Sequence, residues 1–358
     1  MSTFIQLHLL TSYPPSNLNR DELGRPKTAK MGGKDRLRIS SQSLKRAWRT
    51  SDSFKAAVGD HIGKRTKKMG LDAARKFKNA GILQEDAISW GKQIAEAFAE
   101  TESIDRSDPY KETLLKQPIH MSHIEYNKLN ELIDTLCREK RAPQDEELEL
   151  LSKEHNAVDI AMFGRMLAVK GKMNLGMDAA VQVAHAITVH EVTVEDDYFT
   201  AVDDLNTKQD DAGAAHIGET EFASGVFYLY ICINTGLLVE NLKNKEPEKA
   251  NELANKSLAA LIEAAATISP TGKQCSFASR ACASYILVEK GNQQPRSLSV
   301  AFLKPVKGED ILSMAISELE KRRDNFDKVY GPCYDDFKTL NAETGEGSLT
   351  KIINFVKE

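Results

Sequence analysis

Aromatic residues make up only 7% of this 358-residue chain, which has five cysteines, two tryptophans and no long apolar run. Cys137, Cys232, Cys275, Cys282 and Cys333 are odd in number, widely spaced and without a CxxC pair. That pattern supports neither a disulfide framework nor a zinc site, and reduced structural thiols are the expectation. No stretch approaches the ~20 apolar residues of a membrane span. The apolar start, Phe4 to Leu10, is broken by Gln6 and His8 and is too short and polar for a signal sequence, which places the chain in the cytoplasm. Gly32-Gly33-Lys34 lacks the earlier glycine and the following Ser/Thr of a P-loop, so no nucleotide cofactor is expected. His185 and His190, five apart on an expected strand, fall on opposite faces and make no metal pair.

What is present is ordinary in amount and unusual in placement. With 41% hydrophobic and 28% charged residues, the chain has the composition of one large or two ordinary globular domains. The net charge of -4 is spread unevenly. From Arg20 to Lys78 there are 18 Lys or Arg against 6 Asp or Glu; from Glu195 to Glu221 there are 9 acids and only Lys208. Such asymmetry suggests a phosphate-facing surface and a separate acidic element, against the plainer reading of two solvated faces.

Periodicity gives the outline. Thr3 to Leu10 alternates, with Ile5, Leu7 and Leu9 on one side, and reads as a half-buried strand. A loop is expected from Tyr13 to Gly33, then a short extended piece over Arg36 to Ile39, then a helix capped by Ser40 or Ser41 and running to about Val58. Residues 59–159 read as a mostly helical insertion. Val181 to Val192 reads as a strand, and Gly225 to Asn234, apolar on both faces, as a central one. Between them lies an acidic stretch too long for a tight turn, read as a projecting arm or long hairpin. A helix from about Glu246 to Ile268, extended segments over Ala281 to Val288 and Ser297 to Leu303, and a helix from Ile311 to about Val329 complete the pattern. Without its insertions the order is strand, helix, strand, strand, helix, strand. That is an α+β, ferredoxin-like (RRM-like) order over 1–58 and 160–358.

On a helix starting at Ser41, Gln42, Lys45, Arg46 and Arg49 share a polar side, while Leu44, Ala47 and Trp48 fall on the other. The free N–H groups of the first turn, the hydroxyls of Ser40 and Ser41 and three cations converge on an anion-sized region, and phosphate is its natural occupant. Arg38, Arg36 and Lys34 extend the track upstream. An ordinary capped amphipathic helix is the alternative. Asp196-Asp197 and Asp203-Asp204 suggest carboxylates for metal-dependent RNA cleavage, but no His or Lys pattern completes a catalytic set. Gly225 to Tyr230 matches the aromatic spacing of an RNA-recognition sheet only loosely.

Several motifs occur in a telling order: Asn19-Arg20-Asp21, Gly32-Gly33-Lys34, Arg38 to Ala47, Asp159-Ile160-Ala161 leading to Gly164-Arg165-Met166, Ala184 to Thr188, Phe199 to Leu205, and Glu221 to Phe227. Together they resemble the CasC, or Cas-seven, family, the repeated backbone subunits of type I-E CRISPR Cascade. The likeness covers the first fifty residues and Asp159 to Phe227 well, and the rest loosely. It implies a ferredoxin-like palm, helical fingers (59–159) and a β-hairpin-like thumb (191–223). It also implies a non-catalytic subunit that stacks with copies of itself along the CRISPR RNA spacer and joins other Cascade subunits. The guide would be presented for pairing with target DNA, without cofactor, metal or membrane. By matching positions, Asn19, Arg20, Arg38, Ser40, Gln42, Lys45, Arg46, Arg49 and Arg165 would contact RNA, and Met166, Phe199, Thr200 and Ile217 would wedge beside displaced bases, as apolar side chains do in other unstacking proteins. The alternative is a metal-dependent ribonuclease using thumb carboxylates.

Overall fold

The computed structural model describes residues 3–152, 155–167, 175–201, 216–243 and 247–358. Along the chain come β1 (Phe4–Ser16), β2 (Thr28–Met31), β3 (Lys34–Ile39), α1 (Ser41–Thr50), α2 (Asp52–Val58), β4 (Lys64–Thr66), α3 (Met69–Asn79) and α4 (Gln84–Glu96). Then follow β5 (Ile119–Met121), α5 (His123–Glu139), α6 (Val158–Phe163), β6 (Val181–Val183), β7 (Ala186–Thr188), β8 (Glu195–Ala201) and β9 (His216–Asn234). The last are α7 (Thr235–Leu242), α8 (Pro247–Thr267), α9 (Gln274–Phe277), β10 (Tyr285–Gly291), α10 (Ile311–Tyr330), β11 (Asp336–Asn341) and α11 (Leu349–Lys357). The fold is α+β and divides into two compact units.

The first unit, Met1–Phe54, Gln182–Asn234 and Leu258–Glu358, holds an antiparallel sheet in the order β11-β10-β1-β9-β7-β3-β2. Its four middle strands therefore stand fourth, first, third, second in the expected sequence order. β9 is central, as its two apolar faces required. β1 is buried on both faces rather than half-buried, because Gln6 and His8 face a polar network and not water. The Gln6 side-chain oxygen accepts from the Tyr230 hydroxyl (3.0 Å) and the Arg296 N–H (2.7 Å), while His8 meets Tyr228 Oη (2.8 Å) and Glu289 Oε2 (3.3 Å). Burial opposes ionisation of Glu289, yet hydrogen bonds from His8 and Arg296 hold its carboxyl down at about 2. Leu10, Tyr228, Tyr285, Leu287, Phe302, Ile316 and Leu319 form the apolar cluster on that face.

Three boundaries differ from the sequence expectation, each for a local reason. Instead of one loop to Gly33, β2 and β3 form a hairpin closed by Gly32 (φ 62°) and Gly33 (φ 76°), the paired left-handed residues that a two-residue turn needs. The expected helix to Val58 breaks at Ser51, whose extended backbone (ψ 150°) ends α1 and whose hydroxyl accepts from the Phe54 N–H, a local bond that competes with the helix. Ser297 to Leu303 is not extended; Ser299–Phe302 is a 3-10 turn. β11 and α11 lie beyond the last expected helix, and β11 is a mostly exposed edge strand with little alternation to announce it.

The second unit, Lys55–Val181 and Thr235–Ser257, is larger than the 59–159 insertion. It has its own core, in which Phe77, Ile94, Phe98, Leu115, Met121, Leu129, Ile133 and Leu136 are buried. Each fully buried side chain of this size contributes roughly 1.5–3 kcal/mol. Asp159, buried, ties two segments by accepting from the Gly63 N–H (2.7 Å) and meeting His120 Nε2 (2.8 Å).

Candidate nucleic-acid interface

α1 is built as its sequence implies. Ser40 is the N-cap, its hydroxyl accepting from the Ser43 N–H at 3.3 Å, and Leu44 and Trp48 are buried. Trp48 is only 1% exposed and anchors the helix in its unit. The polar side splits into two stripes. Ser43, Arg46 and Thr50, with Ala47 beside them, line a groove of 930 Å³ with Leu18 to Glu22, Thr267 to Ser269, Gln274 and Arg280, whereas Gln42, Lys45 and Arg49 are outside that groove's lining. Burial lowers the pKa of the Lys45 ammonium from the usual lysine range, and a nearby phosphate would raise it again.

The loop before the hairpin carries further cations. Asn19 accepts from the Ser40 N–H (2.8 Å) through its side-chain oxygen, and its backbone oxygen accepts from Lys27 N (2.8 Å), fixing this loop to the start of α1. Arg20, Lys27 and Arg38 share a second groove of 590 Å³, and Arg20 lines both. Arg38 donates to the Thr28 carbonyl (3.4 Å) and reaches His185 Nδ1 (3.1 Å). Burial and the Arg38 charge lower the His185 pKa, so the ring is neutral near pH 7 and accepts that bond. A cationic track from Arg38 through Lys27 and Arg20 to Arg46 results, within one unit.

Several expected contacts take other roles. Asn19 and Ser40 spend their oxygens on N–H groups of this chain, so they position the helix start. Arg36, expected to extend the track, is fully buried and donates to the carbonyls of Thr188 (2.9 Å) and Phe302 (3.0 Å). Lys34 pairs with Glu191 (3.0 Å). Arg165 is not at a surface: its guanidinium pairs with Glu125 (2.8 Å), both side chains 1% exposed, and donates to the Ser152 and Leu175 carbonyls. Its neighbour Met166 is 94% exposed. Lys27, which only its charge marks in the sequence, lines the second groove.

β8 pairs with the first half of β9 in a hairpin whose register sets Phe199 opposite Gly218 and Thr200 opposite Ile217. Side chains alternate across a strand, so the three expected wedge residues divide between two faces. The Phe199 ring lies over Gly218, where a Cβ would come within 2.3 Å of it. Thr200 and Ile217 occupy the other face together with Tyr198, an exposed aromatic that the sequence did not single out. Asp203 and Asp204, with the rest of residues 202–215, lie outside the described residues. Among the described residues no group of His, Cys, Asp or Glu could hold a metal ion, and no helix is long and apolar enough to cross a membrane.

A family profile for CT1975-like proteins matches residues 5–353. The chain belongs to the CT1975-like family. Among solved structures, this family member is similar to a chain described as "CRISPR RNA-guided surveillance complex, pre-nicking", 28% identical over 99% of both chains, with a TM-score of 0.80. It also shares its fold with a chain of a "CRISPR RNA-guided surveillance complex", 24% identical over 99% of this chain and 98% of that one, with a TM-score of 0.59. No curated protein matches it.

Proposed function

We propose that this CT1975-like protein is a non-catalytic backbone subunit that coats the guide RNA of a CRISPR surveillance complex of type I-E. Its four-strand order is read as a ferredoxin-like palm. Several copies stack along the guide, the β8–β9 hairpin and Met166 displace bases, and the exposed bases pair with target DNA, so that sequence is read by pairing while protein holds the backbone. Support comes from end-to-end similarity to a chain of such a complex, and above all from the Arg38–Lys27–Arg20–Arg46 track beside the N-terminus of α1. Cations along a groove bind phosphate without regard to sequence.

The test is copurification with partner subunits and a CRISPR array transcript. The parent chain retains small RNA, and Lys45→Glu with Arg49→Glu lowers retention by about tenfold or more, two cations becoming anions at a phosphate surface. Absence of RNA from the parent assembly refutes the function. Unchanged retention in the double variant refutes the assignment of α1.

A further inference from the structure

Among the described residues, three non-glycine positions have left-handed backbone, and two of them, Lys273 (φ 45°) and Ala278 (φ 48°), bracket α9. Such conformations cost about 1–3 kcal/mol each and persist only where the surroundings impose them. Here they do. The Lys273 ammonium donates to the Thr220 hydroxyl at the base of the hairpin, and the Phe277 ring lies 5.9 Å from that of Phe222. Gly272 packs so tightly that a Cβ would come within 2.3 Å of the Leu18 carbonyl oxygen. Asn17, one residue earlier, donates to the carbonyls of Gly24 (2.9 Å) and Glu221 (2.8 Å). One braced turn thus joins the loop under α1 to the base of the hairpin.

The turn presents Gln274 and Arg280 to the groove that holds Arg20 and Arg46. None of these three arginines has a carboxylate partner among the described residues. Three carboxylates, Asp21, Glu22 and Asp52, line the same groove, as many as its guanidiniums. Asp21 Oδ1 accepts from the N–H groups of Leu23 and Arg25 (both 2.9 Å), and Asp52 lies in the first turn of α2, where the helix dipole offsets it.

We propose that this turn is part of the RNA site, with Arg280 binding a backbone phosphate in the groove it shares with Arg20 and Arg46. The inference rests on the RNA-binding reading above. It is tested by fluorescence anisotropy of labelled single-stranded RNA with the purified full chain over a series of salt concentrations. Arg280→Gln lowers affinity about five- to tenfold and makes the slope of log K against log salt shallower by about 0.7, the loss of one phosphate contact on a single strand; Arg280→Lys restores the slope. An Arg280→Gln slope equal to the parent's overturns the proposal, whether or not affinity falls. If the parent binds no RNA, the RNA reading itself has failed; if Lys45→Glu with Arg49→Glu binds as well as the parent, the assignment of α1 has failed. If those two behave as expected and Arg280→Gln does not, only this inference falls.

Discussion

Arg165→Met is expected to unfold the second unit at markedly lower denaturant. Arg165 and Glu125 are each 1% exposed and 2.8 Å apart. Removing the guanidinium leaves a buried carboxylate that, among the described residues, keeps the Ser122 and Ser152 N–H groups, each at 2.8 Å, and strips donors from the Ser152 and Leu175 carbonyls. Breaking a buried pair from one side costs about 3–5 kcal/mol, which for a unit of this size lowers Tm by roughly 6–20 °C. Adding Glu125→Gln should recover part of the loss by removing the buried charge, although its single amide oxygen accepts from only one of those N–H groups, which bond separate oxygens in the parent. The two tryptophans separate the units. Trp48 lies in the first; Trp90, its ring 5.5 Å from Phe77, reports on the second. Urea unfolding followed by Trp90 fluorescence in a Trp48→Phe background therefore reads the unit that should weaken. A midpoint within about 1 kcal/mol of the parent, together with lost RNA retention, would refute the structural role and return Arg165 to the RNA surface.

The remaining predictions are shorter. Burial and the Arg165 charge lower the His155 pKa from 6.5 to about 4. The unfolded chain protonates first, so the stabilisation from a neutral His155 is complete above about pH 6.5 and drains as pH falls toward 4. The urea midpoint of the second unit should drop across that window, and His155→Phe should flatten the drop; an equally steep fall in the variant would locate the effect elsewhere. Gly32→Ala should cost the first unit about 1–3 kcal/mol from its left-handed backbone alone, and displacement of the Leu303 carbonyl, 1.7 Å from the added Cβ, adds to that. Trp48 fluorescence in urea checks it, and a midpoint equal to the parent's would show that the turn accommodates a side chain.

The sequence alone determined much of the first unit. Alternation placed β1, and two apolar faces placed the second half of β9 and made it central, because a strand covered on both sides has no polar face to show. Ser40 and the polar stripe of α1 were legible because capping and helical spacing are local. What each cation does was not. Arg36 and Arg38 are two residues apart, yet one is sealed against the Thr188 and Phe302 carbonyls and the other lies in a groove, a difference made by residues about 150 and 270 positions away. Arg165 and Met166 look alike as motif residues, but Glu125 took one inward. The division of Phe199 from Thr200 and Ile217 needed the β8–β9 register, and Arg280 needed the docking of a turn against Leu18 and Thr220. Local chemistry fixes which residues can bind an anion. Burial and pairing, which depend on distant segments, decide which of them face one.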